Sequence, residues 1–102
     1  MKKTLLLLCL LLCTTAYGQN KIKVACVGNS VTYGAGIENR EINSYPAQLQ
    51  RMLGDGYEVV NFGKSGATLL NKGHRPYCEQ EEYKAALDFA GDRVVIHLGL
   101  ND

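Results

Sequence analysis

Three short polar segments of the sequence contain the residue types that acyl transfer requires. They are Gly-Asn-Ser at residues 28–30, Gly-Lys-Ser-Gly at 63–66 and Gly-Leu-Asn-Asp at 99–102. A serine hydroxyl can attack an ester carbonyl once a base removes its proton, and the resulting oxyanion needs hydrogen-bond donors. Ser30 supplies a hydroxyl, while the N–H groups of Ser30 and Gly66 and the side-chain amide of Asn101 could supply donors. The pattern therefore favours acyl transfer at Ser30.

Glycine-rich loops also bind phosphate, so nucleotide binding is the competing interpretation. A P-loop has a glycine five residues before its Gly-Lys-Ser/Thr, but Glu58 occupies that position relative to Gly63. The dinucleotide pattern Gly-x-Gly-x-x-Gly begins at Gly34 and Gly36 but has Asn39 in place of its third glycine. Both templates fail, and no nucleotide or other cofactor is expected.

Each polar segment follows an apolar run of β-strand type. The runs lie at residues 22–27, 57–62 and 93–98. Residues 24–27 and 94–96 are continuously apolar, which predicts strands buried on both faces. In parallel sheets ligands bind beyond the carboxyl ends of the strands, so the three polar segments are expected to meet there.

Two helical patterns separate the strands. Ser44 is predicted to cap the first helix, in which Pro46 lies in the first turn. Its predicted buried face consists of Tyr45, Leu49, Met52 and Leu53. The second helix is predicted to begin near Glu79 and to bury Tyr83, Ala86, Leu87 and Ala90. The alternation of strands and helices predicts an α/β fold with parallel strands joined by right-handed crossovers.

The N-terminus is predicted to be a signal peptide at residues 1–18. A basic start, an apolar run over residues 5–13 and small residues at 16 and 18 are typical of such leaders. The alternative is a membrane anchor, but the run is far shorter than the roughly 20 residues of a span. We therefore expect export to the periplasm or the extracellular space.

Composition narrows the class of protein further. The 102 residues allow one small domain, and 11 basic against 10 acidic residues argue against a nucleic-acid partner. Cys26 and Cys78 follow the leader, and although an exported protein could bridge them, Cys26 lies in an apolar run and is expected to be unpaired. His and Cys do not cluster at ligand spacing, so no metal site is expected.

The three segments resemble the first three sequence blocks of the SGNH hydrolases, the GDSL-type esterases. The likeness includes residues 61–68 and the Ser-Tyr-Pro-Ala-Gln-Leu at 44–49, and it extends from about residue 22 to the end. It implies that residues 19–102 are the N-terminal part of a flavodoxin-like three-layer α/β/α domain, with the first three strands of its parallel sheet. Secreted carbohydrate acetylesterases, including sialate O-acetylesterase-like proteins, look closest, so the implied substrate is a small-molecule or carbohydrate ester.

The resemblance also implies roles for single residues. Ser30 would be the nucleophile, and Gly66 and Asn101 would contribute to the oxyanion hole, together with the N–H group of Ser30. Asn29 departs from the family, which usually has Asp at this position. We expect this change to be tolerated, because Asn keeps a hydrogen-bond acceptor and that Asp is not the acid of the triad.

The family's base and its orienting acid come from an Asp-x-x-His block, which residues 1–102 do not contain. His74 is expected in a loop and His97 as a core histidine within a strand, so neither is expected to be the base. The chain alone should therefore be nearly inactive, and a non-catalytic, exported carbohydrate-binding protein is the alternative. An apolar sheet edge and a small core further predict marginal stability and self-association.

Overall fold

The computed structural model describes residues 20–102, so the predicted leader at residues 1–18 lies outside the described part of the chain. Three strands occupy the predicted positions: β1 (Ile22–Gly28), β2 (Tyr57–Gly63) and β3 (Arg93–His97). They form one parallel sheet in the order β2-β1-β3. Gly28 is aligned in the register with Gly63 and with His97. The three polar segments therefore all follow the carboxyl ends of the strands, where the strands end together. The α/β prediction is confirmed.

Four helices lie between the strands in residues 20–102. Two short ones were not predicted, α1 (Ser30–Tyr33) and α2 (Arg40–Asn43), and two longer ones were, α3 (Tyr45–Leu53) and α4 (Glu81–Phe89). Ser44 stands at the N-cap of α3, but its side chain makes no capping hydrogen bond. The predicted start near Glu79 is two residues early, because Tyr77–Glu79 forms a separate 3-10 turn.

The helices cover both faces of the sheet. Successive strand residues point to opposite faces of the sheet. The contacts of Cys26 and Val27, on the central strand β1, therefore identify the helix that lies on each face. The Cys26 side chain meets Tyr45 at the start of α3, whereas Val27 packs in a cluster that includes Ala86 of α4. The core is centred on β1, where residues 24–27 are all buried.

The prediction that residues 94–96 are buried on both faces is wrong. Val94 is 55% exposed and Ile96 is 64% exposed. The reason is position, because β3 is an edge strand of the described sheet and α4 packs on β1 and β2.

The buried faces of α3 and α4 are also narrower than predicted, and the reason is again the position of each element in the sheet. Of the residues predicted to be buried, three are half-buried, Tyr45, Leu49 and Ala86. The others are exposed: Met52, Leu53, Tyr83, Leu87 and Ala90. Helix α3 rests on β2, the other edge strand, and Leu87 of α4 borders an open groove beside β3. Each helix therefore has only part of a sheet to pack against.

Two further observations concern the cysteines and the membrane. Cys26 is buried and Cys78 is exposed, and both are free thiols in the described part of the chain. Among residues 20–102 we find no helix with the length and apolar character that a membrane crossing would need.

Candidate functional site

Ser30 opens the short helix α1 at the carboxyl end of β1. The capping role belongs to the preceding residue, because buried Asn29 accepts the N–H of Val31 through its Oδ1 atom at 3.1 Å. Within residues 20–102, neither the Ser30 hydroxyl nor its N–H group has a hydrogen-bond partner. Both groups are therefore available to bond to a ligand.

The turn that carries Ser30 is attached to the strands on either side. The Asn29 N–H donates to the His97 carbonyl at 3.3 Å, and the Lys64 N–H donates to the Gly28 carbonyl at 2.9 Å. From β2, the Asn61 amide donates to the Thr32 carbonyl at 2.8 Å. These bonds hold α1 against the end of the sheet.

Close packing between β2 and α1 depends on Gly63. A Cβ atom at this position would lie 2.3 Å from the Tyr33 nitrogen and 2.7 Å from its Cα atom. Both are backbone atoms, so only glycine permits this approach.

Gly66 lies in a tight turn after β2. The Ala67 N–H donates to the Lys64 carbonyl at 3.1 Å, and Gly66 has φ of 79°. A positive φ at the third residue is the mark of a type II turn, which favours glycine there. The Gly66 N–H has no hydrogen-bond acceptor among the described residues.

Asn101 and Asp102 attach the third polar segment to the second. The Asn101 amide donates to the Ala67 carbonyl at 3.0 Å, and the Asp102 carboxylate accepts the Leu69 N–H at 2.7 Å. An amide nitrogen carries two hydrogens, so Asn101 keeps a second donor after this bond.

Gly66 and Asn101 line one open cavity, which we call the crevice. Its volume is about 420 Å³, and its other lining residues are Ser65, His74 and Arg75. The structure therefore brings together two of the three predicted site residues. Ser30 is not among the lining residues; it follows β1, the strand between β2 and β3. A larger cavity of about 540 Å³ beside α2 and α3 contains none of the predicted site residues.

The surroundings of His74 and His97 in the described residues are not those that a catalytic base requires. His97 ends the edge strand β3 and is exposed, so the prediction of a core histidine is wrong. His74 does line the crevice, but its side chain makes no hydrogen bond with residues 20–102. A catalytic histidine is normally held by its nucleophile and by an orienting group, and His74 has neither within the described residues.

Sequence reasoning missed Asn61 and Arg75 as parts of the site. The Asn61 amide can donate to a backbone carbonyl, but its partner, the Thr32 carbonyl, is 29 positions away in the sequence, so only the structure identifies it. Arg75 reaches the crevice because the loop folds back on Thr68, and no local pattern reports that contact.

Burial governs the titration of the groups beneath the site. It raises the pKa of the Cys26 thiol and of the Tyr45 phenol, which share one buried polar cluster with Thr32. It also raises the pKa of Tyr77 to about 12, with a smaller contribution from the nearby Glu82 carboxylate. Residues 20–102 contain no group of His, Cys, Asp and Glu side chains arranged to hold a metal ion.

Comparison with known proteins places the chain in a family. The sequence profile of the GDSL-like lipase/acylhydrolase family matches residues 26–102. The acetylxylan esterase of Xylanibacter ruminicola is 56% identical over 84 residues, which make up 82% of this chain but only 18% of that esterase. No solved structure matches the chain. A family match over residues 26–102, with the three polar segments at one edge of a parallel sheet, shows that the chain belongs to the GDSL-like lipase/acylhydrolase family.

Proposed function

We propose that this chain contributes the nucleophile and the oxyanion hole of an exported serine esterase that removes acetyl groups from carbohydrate. The observation that carries the proposal is the set of unused hydrogen-bonding groups at the ends of the strands. The Ser30 hydroxyl and the N–H groups of Ser30 and Gly66 have no partner in residues 20–102, although the turns that carry them are firmly bonded. Oriented, unpaired donors are what a developing oxyanion needs.

The reaction follows from these groups. The Ser30 oxygen forms a bond to the acyl carbon while a base accepts its proton, and the carbonyl oxygen becomes an oxyanion. The N–H groups of Ser30 and Gly66 and the second hydrogen of the Asn101 amide donate to that oxyanion. The sugar hydroxyl then leaves with the proton, and water releases the acyl group from Ser30. Loss of one such donor typically lowers kcat by about 10²–10³-fold.

The base is proposed to lie outside residues 1–102. The family pattern supplies it from an Asp-x-x-His block, which is absent from residues 1–102, and nothing described orients His74 for that task. Residues 1–102 alone should then show at most the weak activity that an oxyanion hole provides without its triad.

The acetyl group and the carbohydrate are supported by similarity. The relative from Xylanibacter ruminicola carries the name acetylxylan esterase. Acetylated polysaccharide also lies outside the cell, which agrees with the predicted leader at residues 1–18.

Substitution of Ser30 tests the proposal in the protein produced from its complete reading frame. Ser30→Ala should abolish release of acetate from acetylated xylan, because no other group replaces the nucleophile. Tyr33→Phe is the matched control, since it removes an exposed hydroxyl from the same helix and should retain activity.

Two outcomes would contradict the esterase proposal. Undiminished acetate release by Ser30→Ala would exclude Ser30 as the nucleophile. Tight binding of xylan oligosaccharides without turnover by the unsubstituted protein would favour a carbohydrate-binding protein instead.

A further inference from the structure

The peptide group between Ser65 and Gly66 determines where one proposed oxyanion donor points. It is the central peptide of the turn at residues 64–67, which the bond from the Ala67 N–H to the Lys64 carbonyl closes. The central peptide points in opposite directions in type I and type II turns, and glycine at the third position tolerates both. The direction of the Gly66 N–H therefore depends on what holds this single peptide.

Arg75 holds this peptide through its carbonyl group. Its Nη1 atom donates to the Ser65 carbonyl at 3.0 Å. The guanidinium also lies alongside Gly66, because a Cβ atom at that position would be 3.6 Å from Nη1 and 3.9 Å from Cζ. The Ser65 carbonyl and the Gly66 N–H belong to one trans peptide, so a bond to the carbonyl fixes the direction of the N–H.

The charge of Arg75 strengthens this effect. A hydrogen bond from a guanidinium is roughly twice as strong as one between neutral groups, and it polarises the peptide that accepts it. Arg75 forms no ion pair with any residue between 20 and 102, so no described carboxylate competes for the guanidinium. Polarisation of the peptide makes its N–H a better donor to an oxyanion.

The backbone of Arg75 is fixed independently of its side chain. The Thr68 N–H donates to the Arg75 carbonyl at 2.8 Å, and the Tyr77 N–H donates to the Thr68 carbonyl at 2.9 Å. The Tyr77 hydroxyl in turn donates to the Phe62 carbonyl at 2.7 Å in the interior. Substitution of the side chain should therefore leave the loop in place.

We propose that Arg75 is a positioning residue that holds the Ser65–Gly66 peptide with its N–H directed into the crevice. The proposal rests on the proposed function, in which that N–H stabilises the oxyanion. Because negative charge appears there only during reaction, Arg75 should act on kcat rather than on the binding of a neutral substrate.

The test uses the protein from its complete reading frame and a small neutral acetyl ester. Arg75→Met keeps the length of the side chain without its donors, and Arg75→Lys keeps the charge and a donor. Arg51→Met is the matched control, because Arg51 also donates to a backbone carbonyl, that of Ile42, but lies outside the crevice. Rates are normalised to active sites counted from a serine-directed burst.

We expect Arg75→Met to lower kcat roughly ten- to a hundredfold, with KM changed by less than about twofold. Arg75→Lys should recover part of this loss, and Arg51→Met should match the parent. A boronic acid that forms a tetrahedral adduct on Ser30 should bind to Arg75→Met more weakly by a similar factor, because its oxygen occupies the oxyanion position. A merely structural role would not produce this parallel loss.

Two results would overturn the proposal. One is a parental kcat in Arg75→Met, and the other is a raised KM at constant kcat, which would mean direct contact with the substrate. If Arg75→Met fails to fold, Arg75→Ala, which also lacks a donor, is judged by the same criteria. Activity that persists in Ser30→Ala defeats the proposed function itself, whereas loss there with a parental kcat in the Arg75 variants defeats only this inference.

Discussion

At the scale of single residues, the site combines groups that the sequence reveals with groups that only folding brings close. Ser30, Gly66 and Asn101 lie in the polar segments that follow the predicted strands, which is a local signal. Arg75 has no such signal, because it reaches Ser65 through a loop that bonds to itself at Thr68. A side chain that acts on a peptide ten residues away cannot be assigned from spacing alone.

Tyr77 provides a prediction at the same scale, concerning stability at high pH. Its pKa is raised to about 12, chiefly by burial, whereas an unfolded tyrosine titrates near pH 10. Between these values the unfolded chain has released the proton and the folded chain still holds it. This contribution to stability is therefore complete below about pH 10 and is lost as the pH rises towards 12.

Tyr77→Phe should make thermal stability less dependent on pH in that range, as measured by melting between about pH 8 and 12. At neutral pH it should cost about 1–2 kcal/mol, because the hydrogen bond to the Phe62 carbonyl is lost. Some alkaline dependence should remain, since burial also raises the pKa of Tyr45. An unchanged alkaline profile in Tyr77→Phe would contradict the assignment.

At the scale of elements, the sequence predicts the strands well and the helix faces poorly. All three strands begin at the predicted residue, because apolar runs bounded by glycine are a local property. Exposure of residues 94–96, Met52 and Leu87 depends on which elements lie beside them, and this is a property of the sheet order. The short helices α1 and α2 have too few residues for a periodic pattern.

The contact between β2 and α1 gives a prediction about this element pair. Gly63→Ala should destabilise the fold by about 3 kcal/mol or more, because its Cβ atom would overlap the Tyr33 backbone and push α1 away from the sheet. Gly56→Ala is the control, since a Cβ atom there meets nothing within 4 Å and φ is not positive. The measurement is urea or thermal unfolding, and equal stability of the two variants would show that α1 does not depend on this approach.

At the scale of the whole molecule, the described sheet has an uncovered apolar side. Val94, Ile96 and Leu87 border a groove of about 360 Å³ that is mostly apolar. Apart from prolines, only seven apolar residues with side chains are buried in the described chain, so its core is small. In the described sheet β3 pairs with β1 on one side only, and an open strand edge of this kind pairs readily with another copy.

We therefore predict that residues 19–102, expressed by themselves, self-associate through β3. Ile96→Lys should reduce association, because an edge lysine opposes pairing between strands. Ile42→Lys is the control, since Ile42 is similarly exposed but lies on α2, away from this strand. Sedimentation velocity over a range of concentrations gives the measurement, and a monomer at every concentration without substitution would refute the prediction.

The bonds from Asn101 to Ala67 and from Asp102 to Leu69 have a consequence for how a substrate would be received. They join two loops that are more than thirty positions apart in the sequence and so fix the position of each loop relative to the other. In the proposed esterase, a substrate would therefore enter a site whose two loops are already joined, so their relative positions would not have to be set during binding. Without either bond the two loops could move independently, and the site would then have to form again each time a substrate binds.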